Sequence, residues 1–129
     1  MPDVYANLDE ANLRSLQENA ANSVIIIKFT AEWCGPCKRT KALVESHFCS
    51  LPENAIIFEL DVDDPINKPL YAFFKTKRQI NGIPAFLAYY TDVNRTFWFV
   101  PDATVNSGHP ASINHFFNTV LEKAKNLNQ

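Results

Sequence analysis

The run Val24–Thr30, "VIIIKFT", constrains this chain more than any other stretch. It is apolar almost without interruption and rich in β-branched residues, rather than alternating apolar with polar. That is the pattern of a strand covered on both faces. Such a strand needs helices above and below it, so the run by itself implies an α/β layer structure. Lys28 conflicts with the pattern, because a buried ammonium without a partner is costly. The run then leads straight into "AEWCGPCK", Ala31–Lys38, where Cys34 and Cys37 are separated only by Gly35 and Pro36.

The rest of the chain supplies partners for that strand. "NLDEANLRSLQENA" reads as a helix capped by Asn7, with Glu10 three residues on. A second helix is expected to start in the cysteine motif, with Pro36 in its first turn and Thr40, Leu43, Val44 and Phe48 at helical spacing. "AIIFELDVD" is a second buried strand, with Glu59 as its own charged oddity between Phe58 and Leu60. Ile66, Leu70, Phe73 and Phe74 mark a third helix with Pro69 early in it. "NGIP" interrupts the chain, and "AFLAYYT" and "RTFWFV" read as strands joined by a turn around Asp92–Asn94. Ile113, Phe116, Phe117, Val120, Leu121 and Ala124 form the stripe of an amphipathic terminal helix starting near Pro110. The predicted order is α-β-α-β-α-β-β-α, a central mixed β-sheet flanked by helices on both faces. No repeat or linker divides it, so residues 1–129 are expected to form a single domain.

Bulk properties exclude several functions. A formal net charge of −2 argues against a nucleic-acid binder that relies on bulk positive charge. No apolar run approaches the ~20 residues of a membrane helix. The start "MPDVYANLDE" lacks a signal-like basic and apolar segment, so a cytoplasmic or equivalent reducing location is expected. Three cysteines are too few, and odd in number, for a disulfide-stapled scaffold.

A Cys-x-x-Cys pair at a helix start has a redox logic. Unpaired N–H groups there stabilise a thiolate, and the motif lowers cysteine pKa values. Cys34, expected at the exposed edge, would attack a client disulfide; Cys37, one turn inside and more buried, would resolve the mixed disulfide. Gly35 permits the tight geometry and Pro36 restricts the turn. Zinc is the rival reading, with Cys34, Cys37, His47 and Cys49 as possible ligands. In an unbroken helix Cys37 and His47 would lie about 15 Å apart, beyond one coordination sphere. A structurally inert pair is the third reading.

"AEWCGPCK", with Trp33 and Lys38, resembles the thioredoxin active-site motif, and "GIP", Gly82–Pro84, resembles that family's cis-proline loop. The element order resembles the thioredoxin fold over nearly the whole chain. The resemblance implies that Pro84 is cis and faces the cysteines, and that Trp33, Ile83 and Pro84 contact substrate, with the Ile83 backbone pairing with an extended client segment. It implies a thiol-disulfide oxidoreductase serving electron transport and cell redox homeostasis. Such a protein is reduced by thioredoxin reductase or an equivalent donor, acts on oxidised client proteins, and holds no tightly bound cofactor and no metal. The alternative is a client-binding module, or a specialised disulfide exchanger with low general reductase activity.

Against the family pattern, Lys28 stands where an aspartate is usual, Thr30 where an aromatic is usual, Ala42 where the second helix carries a proline, and Ala85 where threonine is common. "PDATVNSGHP", Pro101–Pro110, reads as a longer loop, with its Asp102–Gly108 part expected to govern partner choice. Lys28 and Glu59 occupy the spacings at which the family usually places an acid and a lysine, so a pair with exchanged signs beneath the cysteines is expected. His47, His109 and His115 are expected at the surface, Cys49 as a free thiol, and Lys38, Arg39 and Lys41 on a solvated face. Phe97, Trp98 and Phe99 are expected to alternate on an edge strand, with one face in the core.

Overall fold

The computed structural model describes residues 1–129. Strand β1 (Val4–Tyr5) is followed by α1 (Glu10–Asn19), β2 (Val24–Thr30), α2 (Gly35–Arg39), α3 (Lys41–Ser50), β3 (Ala55–Asp61), α4 (Lys68–Thr76), β4 (Ala85–Tyr90), β5 (Ala103–Val105) and α5 (Pro110–Leu127). The strands form one five-stranded sheet in the order β1-β3-β2-β4-β5. Pairing is parallel for β1·β3 and β2·β3 and antiparallel for β2·β4 and β4·β5. The mixed sheet expected from the sequence is thus present, with β2 at its centre.

Continuous burial of β2 follows from that position. Ile25, Ile27 and Phe29 face one core layer with Leu13 of α1 and Leu70 and Phe74 of α4. Val24 and Ile26 face the other, with Val44 and Phe48 of α3 and Ile113, Phe117 and Val120 of α5. The period of two along a strand separates the two sets. It also puts Lys28 on the α3–α5 side, in direct register with Glu59 of β3.

Several expectations are corrected. Helix α1 is capped by Asp9, whose side chain accepts the Asn12 N–H at 2.9 Å. Asn7 instead bonds Asp64 at 3.1 Å. Ile66 precedes α4 and is exposed. The second helix is broken at Thr40 although no proline is there. The Thr40 hydroxyl donates to Pro36 O at 2.8 Å, and its backbone (φ −101°, ψ 4°) leaves the helical region between α2 and α3. Strand β1 was not anticipated; its two residues carry too short a pattern to read.

The largest correction concerns Thr91–Asp102. "RTFWFV" is no strand. Trp98 and Phe99 are both half-buried and pack on the α4 layer, with Trp98 stacked on Phe73 at 5.1 Å between ring centres. Phe97 is exposed. The actual edge strand β5 lies inside the segment expected to be a long loop, where Ala103, Thr104 and Val105 pair with Ala88, Leu87 and Phe86.

Candidate active site

The end of β2 and the start of α2 set the cysteines in place. The chain turns after Thr30, with the Cys34 N–H donating to Ala31 O at 3.2 Å. Cys34 then caps α2, its Sγ accepting the Cys37 N–H at 3.2 Å. Pro36, with no N–H to satisfy, sits in the first turn. Cys34 and Cys37 are joined in a disulfide, with Cα atoms 5.3 Å apart. Both are buried, at 4% and 3% exposure, so the expected contrast of an exposed Cys34 over a buried Cys37 is absent from this oxidised form. A disulfide ties both sulfurs into the same apolar layer, which removes the asymmetry that helix position suggests.

Trp33 is 67% exposed, and its indole N–H donates to Asp63 at 2.7 Å. It borders a groove of about 490 Å³ walled by Val62, Tyr71 and Ala72 and rimmed by Lys68 and Lys75. The Ile83–Pro84 peptide bond is cis. Pro84 is buried and Ile83 half-buried against the cysteine-bearing layer.

Lys28 and Glu59 form the expected pair, Nζ to Oε2 at 3.1 Å, with the Lys28 side chain 2% and the Glu59 side chain 34% exposed. They line a cavity of about 420 Å³ together with Cys37, Thr30, Asp61, Lys38 and Lys41. The cavity therefore reaches the inner cysteine and not Cys34. Its walls carry both signs of charge beside Cys37.

The zinc reading finds no converging ligands. His47 stacks on Phe117 at 4.6 Å and bonds Asn114 at 2.7 Å, on the α5 side. Cys49 is a free, exposed thiol whose Sγ lies 3.4 Å from Met1 Sδ. No group of three or more His, Cys, Asp or Glu side chains is arranged for a metal. His109 and His115 are exposed, as are Lys38, Arg39 and Lys41.

Sequence reading missed the segment that closes the site. Asn106 bonds three backbone groups of the Asn81–Pro84 loop. Gly108 lies so close to Pro36 that a Cβ on it would sit 2.7 Å from the proline Cβ. Asn and Gly inside "PDATVNSGHP" look like ordinary loop residues. The only available signal was that a glycine beyond the last strand can mark a close backbone approach.

Comparisons with known proteins agree with this architecture. The family model described as thioredoxin matches residues 5–96. Thioredoxin of Ophiophagus hannah is 29% identical over 82 residues, covering 57% of this chain and 77% of that protein. Thioredoxin of Mus musculus is 40% identical over 45 residues, 35% of this chain and 42% of that protein. Among solved structures, Fasciola hepatica thioredoxin superposes with a TM-score of 0.65 at 20% identity, covering 90% of this chain and 96% of that one. Oxidised thioredoxin of Plasmodium falciparum gives 0.62 at 20% identity, covering 92% and 99%.

Proposed function

The chain belongs to the thioredoxin family, and we propose that it reduces client protein disulfides with Cys34 as nucleophile and Cys37 as resolving thiol. It is a thiol-disulfide oxidoreductase. The observation that carries the assignment of roles is the Cys37 N–H directed at Cys34 Sγ, since that contact favours a thiolate on Cys34 once the bond is reduced.

In the first step the Cys34 thiolate attacks one sulfur of the client disulfide. The client S–S bond breaks, a mixed disulfide forms, and the departing client thiolate takes a proton. Cys37, as thiolate, then attacks Cys34 Sγ. The mixed bond breaks, the Cys34–Cys37 disulfide forms, and the second client thiolate leaves. Two electrons pass to the client. A thioredoxin reductase or equivalent dithiol donor returns them, completing an electron-transport cycle of cell redox homeostasis. Cys37 must lose a proton before it attacks, and Glu59 is the acceptor we assign. It shares a cavity with Cys37, and its partner Lys28 stabilises the resulting thiolate. Trp33 and the backbone of Ile83 hold the client, with Pro84 beside the disulfide, while Gly35 and Pro36 shape the turn between the cysteines.

A reducing compartment, the cytoplasm, suits a pair that must be re-reduced and an exposed Cys49 that is left unpaired. No helix is long and apolar enough to cross a membrane.

Cys34→Ser is expected to abolish insulin reduction. Cys37→Ser is expected to accumulate client mixed disulfides, resolved on non-reducing gels. Trapping by Cys34→Ser alone would reverse the two roles. Full client binding by wild type without turnover would favour the client-binding module instead.

A further inference from the structure

The Asn81–Pro84 loop is not held by the sheet. Strand β4 begins only at Ala85, and the Ile83 N–H and C=O make no hydrogen bond within the chain. A free backbone pair at this position is what strand addition needs, provided that the loop does not wander. Something other than the ladder has to fix it.

Asn106 does so. Its Oδ1 accepts the Asn81 N–H at 2.6 Å, and its Nδ2 donates to Gly82 O at 2.9 Å and to Pro84 O at 3.0 Å. Both amide protons and the carbonyl of one side chain are thereby used on the residues flanking Ile83. The support is itself anchored on both sides. Val105 pairs with Phe86 at the end of β5. Ser107 Oγ accepts the His109 N–H at 2.9 Å where α5 begins. Gly108 rests against Pro36 between the two cysteines. One short segment thus touches both halves of the site, the cysteine turn and the client-binding loop. Asn106 is exposed, so a docked client would cover the carboxamide and strengthen its bonds by excluding water.

We propose that Asn106 is a positioning residue for client recognition: its carboxamide grips Asn81, Gly82 and Pro84 and presents the unpaired Ile83 backbone as a fixed edge for an extended client segment. This rests on the reading that the protein reduces client disulfides at Cys34. It makes Asn106 act on clients that bring a peptide backbone and not on small disulfides, which need only reach the sulfur.

The test uses the full chain, with insulin as the protein disulfide, recycled by dithiothreitol, and dithiobis(nitrobenzoate) as the small one, added in a single turnover to pre-reduced protein freed of dithiothreitol. Asn106→Gly removes the carboxamide. Asn106→Asp keeps the acceptor for Asn81 but sets a carboxylate against two carbonyl oxygens. Asn106→Asp is expected to raise KM for insulin about tenfold and Asn106→Gly about threefold, with kcat and small-disulfide turnover within about twofold of wild type. Amide exchange at Asn81 should quicken in Asn106→Gly, which loses the acceptor, while the exchange of β2 and β3 amides stays unchanged. If Asn106→Asp does not fold, Asn106→Gly decides alone. Equal losses on insulin and the small disulfide, or an unchanged insulin KM, would overturn the proposal. Wild-type protein that reduces the small disulfide but not insulin would instead remove the function on which the proposal stands.

Discussion

Two ion pairs lie at opposite ends of the sheet, and they do different things. Lys28–Glu59 joins adjacent parallel strands near the cysteines. It is lopsided, with Lys28 sealed in and Glu59 a third exposed to a cavity that Cys37 shares. Arg95–Asp102 closes the Thr91–Asp102 segment beside Tyr90, the β4 residue opposite the first residue of β2. Both of its side chains are nearly buried, at 12% and 15% exposure. Asp102 also accepts the Tyr90 N–H at 2.6 Å, and Arg95 donates to Tyr90 O at 3.2 Å. One pair opens onto a cavity that Cys37 shares; the other is enclosed by backbone and aromatic rings. Buried ions with most of their bonds satisfied fix a conformation. An ion left facing water beside a thiol remains able to exchange a proton.

The comparison predicts where each pair registers. Asp102→Ala strands the Arg95 guanidinium and the Tyr90 N–H, and should cost about 3–5 kcal/mol of unfolding free energy. Insulin turnover per folded molecule should not change. Urea unfolding together with turnover checks both, and a large fall in turnover in a folded Asp102→Ala protein would break the division of roles.

Glu59→Met should cost less, about 1–3 kcal/mol, because Glu59 is a third exposed and losing its carboxylate lets water from the cavity reach the otherwise sealed Lys28 ammonium. Its main effect belongs to kinetics: resolution of the mixed disulfide by Cys37 should slow about tenfold or more, as expected on losing a general base. Lys28→Met combined with Glu59→Met should restore much of the stability but not the resolution rate. Coupling below ~0.5 kcal/mol with additive effects on resolution would show two independent side chains and no functional pair.

The two pairs also mark how far the sequence could be read. Lys28 and Glu59 stand out because each interrupts an apolar run, and a charge in a buried strand demands an explanation. Their pairing was expected from the resemblance, because the thioredoxin family places an acid and a lysine at those two spacings; the parallel register of β2 and β3 sets them side by side. Arg95 and Asp102 carried no such contrast, since both sit among polar and turn-forming residues. Local composition misled there: "TFWFV" has strand propensity, but packing on Phe73 and Phe74 decided its conformation. Strand β5 was hidden for the opposite reason, an exposed threonine between two half-buried residues among turn formers. The cysteine end of the site was legible because its chemistry is local, with all its spacing within one turn. Asn106 was not, because its bonds span 22 to 25 residues of sequence and leave no periodic trace.

The smallest predicted effect is a pH dependence at the Arg95–Asp102 end. Tyr89 is fully buried in the Arg95 region, with its hydroxyl donating to Phe99 O at 2.7 Å and Arg95 5.3 Å from its ring centre. Burial pushes its phenol far above the ordinary tyrosine value; Arg95 pulls it down and Asp102 adds to the rise. A raised folded pKa means that the native state keeps a proton which the unfolded chain releases. That contribution to stability is complete below the ordinary value of about 10 and declines as pH climbs past it, by up to ~1.4 kcal/mol per pH unit. Tyr89→Phe should therefore be less stable than wild type by about 1 kcal/mol near neutrality, through the lost hydrogen bond. The gap should close above about pH 10.5, because phenylalanine has no proton to lose in either state. Tyr71 and Tyr90, which burial also raises, keep some alkaline slope in both proteins. A Tyr89→Phe gap that stays constant from about pH 8 to about pH 11 would mean that the phenol ionises alike in the folded and unfolded chains, which its enclosure does not allow.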